Sequence, residues 1–161
     1  MAAYINTPVG ANPAVARASG DAEFTAGTLG HGSSGTEWVY VQAAGSIAQY
    51  DFVSLDENYQ AVGLTLTTAL LGHMVGMAQV AMADNEWAWV ARRGTDIQGN
   101  TLTSCLPDAQ LWATATAGHL DDASVSAGSV KIQGIVITAT QSGAAGNQEV
   151  IAKYPQADDA S

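Results

Sequence analysis

His73–Met82 (HMVGMAQVAM), the break Ala83-Asp84-Asn85 and Glu86–Ala91 (EWAWVA) decide the fold class of this chain. Two runs rich in Val, Met and Trp flank a short polar turn, which reads as an antiparallel hairpin. Trp87 and Trp89 stand two apart and share a face, a strand spacing and not a helical one. Gly94 is expected to end the unit. Upstream, Thr36–Gln42 (TEWVYVQ) carries Trp38 and Tyr40 on one face and Val39 and Val41 on the other. Both faces are apolar, so this strand is buried on both sides or lies at an interface. Tyr50–Leu55 (YDFVSL) is a second strand. The turn Asp56-Glu57-Asn58-Tyr59 sends the chain back along Gln60–Thr65. Downstream, residues 95–109 read as loop, with a turn over Ser104–Ala109. Gln110–Thr116 (QLWATAT) is a strand that turns at Ala117-Gly118-His119. Val130–Thr140 (VKIQGIVITAT) is a strand bulged at Gly134, and Glu149–Tyr154 is a last strand stopped by Pro155. The expected fold is all-β: a small antiparallel β-barrel or sandwich over residues 36–155, with turn signals about every eight to twelve residues.

Two extensions flank that domain. Residues 1–35 hold six glycines, eight alanines and two prolines, with few large apolar side chains and no sustained period. They read as an extended N-terminal arm. One short helix is expected inside it, capped by Asn12, opened by Pro13 and closed by Gly20. Ordering each residue costs ~1–2 kcal/mol of backbone entropy, so the arm should lie on a neighbouring subunit or partner. Because the strand pattern starts at Thr36, removing residues 1–30 is expected to leave the barrel folded. Residues 156–161 form a polar C-terminal tail.

The composition points to a covered surface. Charged residues are 12% of the 161, about half the ~25% of an ordinary soluble domain. Alanine alone supplies 30 residues, whereas Leu, Ile, Val and Phe together supply 32. Five basic residues face fifteen acidic ones, for a net charge of −10. A surface so poor in charge suits a protein largely covered by its own copies or by a partner. The acidity argues against a nucleic-acid backbone as that partner, since phosphate contacts need clustered Lys and Arg. Arg92–Arg93 is the sole adjacent basic pair and reads as a solvated strand end. No apolar stretch approaches the ~20 residues of a membrane span, and the start shows no basic-then-apolar leader. A soluble chain assembled in the cytoplasm is expected, with no membrane contact.

No motif rises to a catalytic constellation. His31, His73 and His119 are 42 and 46 residues apart and sit in no HxH or HxxxH pattern, so zinc would require convergence in the fold. Gly27–Gly35 (GTLGHGSSG) lacks the Lys and helix of a phosphate loop and reads as a hinge. GxSxG is absent. Cys105, the only cysteine, has no basic sequence neighbour to activate it and reads as a small buried apolar group. Asp56-Glu57, Asp121-Asp122 and Asp158-Asp159 fit solvated turns better than a calcium loop. The expected protein is not an enzyme and holds no cofactor and no metal. A ligand-binding or hydrolytic β-domain, using the aromatics and acids on a carbohydrate, is the second reading.

From Ala44 to Thr138 the order of turns and apolar runs is distinctive. Ala44-Gly45-Ser46-Ile47 precedes a strand. Val75-Gly76-Met77-Ala78 leads to Asn85-Glu86-Trp87-Ala88-Trp89-Val90 and Gly94. Ala109-Gln110-Leu111-Trp112, Thr116-Ala117-Gly118-His119-Leu120 and Ile132-Gln133-Gly134-Ile135-Val136 follow. This order, about three-fifths of the chain, resembles the small capsid decoration (cement) proteins of tailed bacteriophages. The resemblance implies a β-barrel structural protein on the outer capsid surface of the virion, where it stabilises the shell by bridging major capsid protein subunits. It implies the major capsid protein and further copies of the chain, as a dimer or trimer, as partners. Tyr4, Ile5, Val9, Phe24, Trp38, Tyr40 and Tyr154 are the anchors expected at capsid or subunit contacts.

Overall fold

The computed structural model describes residues 11–124, 128–141 and 143–160. It is all-β, as the strand spacing predicts, with no helix among the described residues and therefore none long and apolar enough to cross a membrane. Ten strands follow in chain order: β1 (Leu29–His31), β2 (Glu37–Ala43), β3 (Phe52–Leu55), β4 (Gln60–Gly63), β5 (Met74–Ala78), β6 (Trp87–Thr101), β7 (Leu111–Ala113), β8 (Leu120–Asp121), β9 (Val130–Ile137) and β10 (Gly146–Ala160).

All ten join one sheet, and the sheet closes on itself twice. One ring runs β2–β4–β3–β5–β6 and returns to β2; the other runs β6–β8–β7–β9–β10 and returns to β6. Most pairs are antiparallel, but β2–β4 and β6–β8 are parallel. Two cores result. Val39, Val41, Ile47, Val53, Leu55, Ala78, Met82, Ala88 and Val90 make the first. Phe52, Val75, Met77, Ile97, Leu111, Leu120, Ile132, Ile137 and Val150 belong to the second. Alternation along β3 and β5 sends neighbouring side chains to opposite cores, which is why both strands are mostly apolar, Ser54 on β3 being the polar exception. Val53 faces one core and Phe52 the other; Ala78 faces one and Met77 the other.

The hairpin that sets the fold class is present but short. β5 and β6 pair only at Met77↔Ala91 and Ala78↔Val90. Beyond them Met82 exchanges backbone bonds with Ile47, and the start of β6 pairs with β2. The turn is closed by Glu86 N–H to the Ala83 carbonyl at 3.1 Å, with Asn85 at φ 65°.

Four expectations are corrected. First, β6 does not end at Gly94 but continues to Thr101, because that stretch pairs with β10 from Lys153 back to Gly146. Of its inward positions Ile97, Gly99 and Thr101 only Ile97 is large and apolar, so there is no apolar alternation to read. Second, β10 runs through Pro155, so residues 156–160 are strand and not tail. Pro155 falls where the β9 register jumps from Ala152 to Gln156, so its missing N–H breaks no ladder bond there. Gly134 lies opposite this jump at φ +77°; the irregularity stands where expected, but the extra residues are on β10. Third, no helix spans Asn12–Gly20. Asn12 caps a single turn, after which Arg17 donates its N–H to the Trp87 carbonyl and accepts the Trp87 N–H in return. Fourth, residues 11–31 lie on the chain's own β2 and β6, not away from them. Gly27 N–H donates to the Tyr40 carbonyl, Tyr40 N–H to the Thr28 carbonyl, and β1 pairs with β2. This segment covers the outer face of β2, which answers why Trp38 and Tyr40 are there.

Candidate interaction site

The densest charged cluster lies where β1, β2, β6 and β10 meet. Glu37 opens β2 with its side chain only 10% exposed. Three groups converge on its carboxylate. Arg92 Nε lies 3.1 Å from Oε1, an ion pair set off the hydrogen-bonding direction. His31 Nε2 lies 3.4 Å from Oε2, and the Tyr154 hydroxyl donates to the same oxygen at 3.3 Å. The Arg92 guanidinium also sits 4.7 Å from the centre of the Tyr154 ring, and that of Arg93 sits 5.8 Å away. Such cation–π contacts are worth about 0.5–1 kcal/mol at exposed sites.

Tyr154 is held in an unusual backbone state. Its φ of +52° is the left-handed region, costly for a non-glycine residue. The register jump on β10 imposes it, and Gly134 opposite makes room: a Cβ there would come within 2.7 Å of the Lys153 carbonyl oxygen. The ring is thereby fixed at the surface with 44% of the residue exposed. Beside it, Lys153 stands directly across from Arg93, and both are exposed. A groove of about 500 Å³ adjoins the cluster, lined by Asp108, Gln110, Gly134, Ile135, Val136, Ile151 and Lys153 among others.

Two other clusters bear on chemistry. In a cavity of about 200 Å³, Ser54 Oγ lies 3.1 Å from His73 Nδ1, with Asp56, Gln60, Thr67 and Thr68 in the same wall. Ser54 is buried, and Asp56 Oδ1 accepts the Asn58 and Gln60 N–H groups as a turn cap. Cys105 meets Asp121 and Asp122, its Sγ 3.4 Å from Asp121 Oδ1. Burial, with the adjacent carboxylates, pushes the thiol up to about 12, so near neutral pH it stays protonated. The histidines do not converge: His31 faces Glu37, His73 faces Ser54, and His119 Nδ1 bonds the Ala117 carbonyl.

The anchors expected from the sequence separate into four groups. Tyr154 is exposed and central to the cluster. Phe24 and Tyr40 turn inward instead, into an aromatic cluster with Trp87 and Trp89 at centroid distances of 5.1–5.7 Å. Tyr40 is only 1% exposed, so it is covered by its own chain rather than offered to another. Trp38 is half-buried against Gly30 and Gly32 in a small cavity shared with Trp89. Tyr4, Ile5 and Val9 lie outside the described residues. Sequence reasoning missed Glu37, Arg93 and Lys153. The available signal was Arg92–Arg93 and Lys153-Tyr154, adjacent basic and aromatic residues in a chain with five basic residues. No protein-family model matches the chain, and no curated protein matches it.

Proposed function

We propose that this chain is a structural, non-catalytic protein of a tailed-phage virion that binds the outer capsid surface and stabilises the shell by bridging major capsid protein subunits. The observation that carries the reading is the fixed presentation of Tyr154. A surface aromatic, gripped by two arginines and a buried carboxylate on a doubly closed sheet, is a preorganised anchor, the residue type and rigidity that dominate binding hot spots. Exposed Leu70 and Leu71, on the loop before β5, supply a second apolar contact. Low surface charge suits a body packed among copies. A chain that binds the assembled shell and not free subunits shifts the equilibrium toward the shell by mass action. Self-association as a dimer or trimer belongs to the same proposal.

Sedimentation of the purified chain with assembled shells and with free capsid subunits tests it. Co-sedimentation with shells alone, and shells that survive higher temperature when decorated, are the expected results. Failure to bind shells overturns it. The Ser54–His73 pair supports the second reading, a ligand-binding or hydrolytic domain of a tail-associated protein. Turnover of a chromogenic ester or glycoside that disappears in His73→Ala would favour that reading instead.

A further inference from the structure

We infer that the surface formed by Arg93, Lys153 and Tyr154, continued by the groove over Ile135, Val136 and Ile151, is a docking site for an extended acidic segment of a partner protein. Three of the chain's five basic residues, Arg92, Arg93 and Lys153, gather here although the chain carries −10 overall. Arg92 is balanced by Glu37. Arg93 has Glu37 as its cross-strand neighbour on β2, but among the described residues neither Arg93 nor Lys153 lies within ion-pair distance of a carboxylate. They face each other as a direct cross-strand pair, an arrangement of like charges that destabilises a sheet. An incoming carboxylate between them turns that repulsion into two attractions. Tyr154, fixed in a strained conformation beside them, gives the same segment an apolar surface to pack on. The groove adds Ile135, Val136 and Ile151, with Asp108 as its acidic group. Its apolar wall suits side chains that alternate with the acids of an extended peptide.

A carboxylate-bearing peptide fits better than a nucleic acid. Two cations outside any ion pair are too few to hold a phosphate backbone against the repulsion of the rest of the chain. The inference rests on the attachment reading only for the identity of the partner. Peptide binding tests the site, and shell sedimentation tests the attachment, so either can fail alone.

The experiment measures fluorescence anisotropy of a labelled oligoglutamate peptide against the full chain in low-salt buffer, beside an oligothymidylate of equal charge. The expected result is saturable, salt-sensitive peptide binding that weakens by about tenfold in Arg93→Gln/Lys153→Gln. Lys131→Gln, which alters a basic residue elsewhere, should bind as the natural chain does. Removing the like-charge pair should leave the thermal midpoint unchanged or higher, and Lys153→Gln alone serves should the double variant fail to fold. Equal peptide binding by the natural chain and the variants overturns the proposal. So does an oligothymidylate that binds as tightly as the peptide.

Discussion

Glu37 is the residue on which the surface cluster turns. Without its carboxylate, Arg92, whose side chain is only 20% exposed, keeps a charge with no counter-ion. Glu37→Ala should therefore cost about 1.5–3 kcal/mol in chemical denaturation, since charged hydrogen-bonding groups lose most when left unpartnered. A loss below about 0.5 kcal/mol would mean that water screens Arg92 fully. Gly134→Ala tests the backbone device: a side chain at φ +77° and 2.7 Å from the Lys153 carbonyl oxygen must displace β10. We expect a loss of about 1–3 kcal/mol and weaker partner binding. Cys105 makes a pH statement. Its thiol is raised from 9.0 to about 12 in the fold, so the unfolded chain ionises first as pH rises. The associated stability is complete below pH 9.0 and is lost progressively up to about pH 12. At pH 8 the buried native thiol stays protonated, so a thiol reagent should react with the native chain very slowly and at once on unfolding.

At the scale of elements, the strands with large alternating side chains are legible in the sequence and those built from small ones are not. TEWVYVQ, YDFVSL and VKIQGIVITAT announce β2, β3 and β9 within a few residues. The second half of β6 is hidden because, beside Ile97, only Gly99 and Thr101 fill its inward positions, and at Gly99 the Phe52 ring leaves no space for a side chain. Tyr154 is legible as a candidate anchor; its partners Glu37, Arg92 and Arg93 are not, because they come from strands whose pairing no local pattern reveals. The N-terminal segment reverses an expectation about truncation. Residues 11–31 cover Tyr40 and Trp89 and lend β2 a partner strand. Deleting residues 1–30 should therefore cost roughly 3 kcal/mol and raise binding of an apolar dye, where the sequence alone suggests an intact body. An unchanged thermal midpoint in the truncated chain would show that the segment contributes nothing to the body.

For the whole molecule, β3, β5 and β6 belong to both cores, so neither core can lose its packing while the other keeps its walls. A single cooperative transition is expected. Val41→Ala in the first core and Ile132→Ala in the second should each lower one common midpoint, by about 1–4 kcal/mol in stability. Tryptophan fluorescence and far-UV circular dichroism should trace the same curve, and two resolved transitions would separate the rings. The two closures still differ in when they become possible. Every strand of the first ring lies before residue 102, whereas the second ring needs β10, which begins at Gly146. On a ribosome that adds roughly 5–20 residues per second, the N-terminal half is out for seconds before its C-terminal partner exists. During that interval the outward faces of β3 and β5, with Phe52, Val75 and Met77, have no second core to enter. The nascent chain thus carries a temporary sticky face, and the time until β10 emerges sets how long it must be kept from its neighbours on the same message.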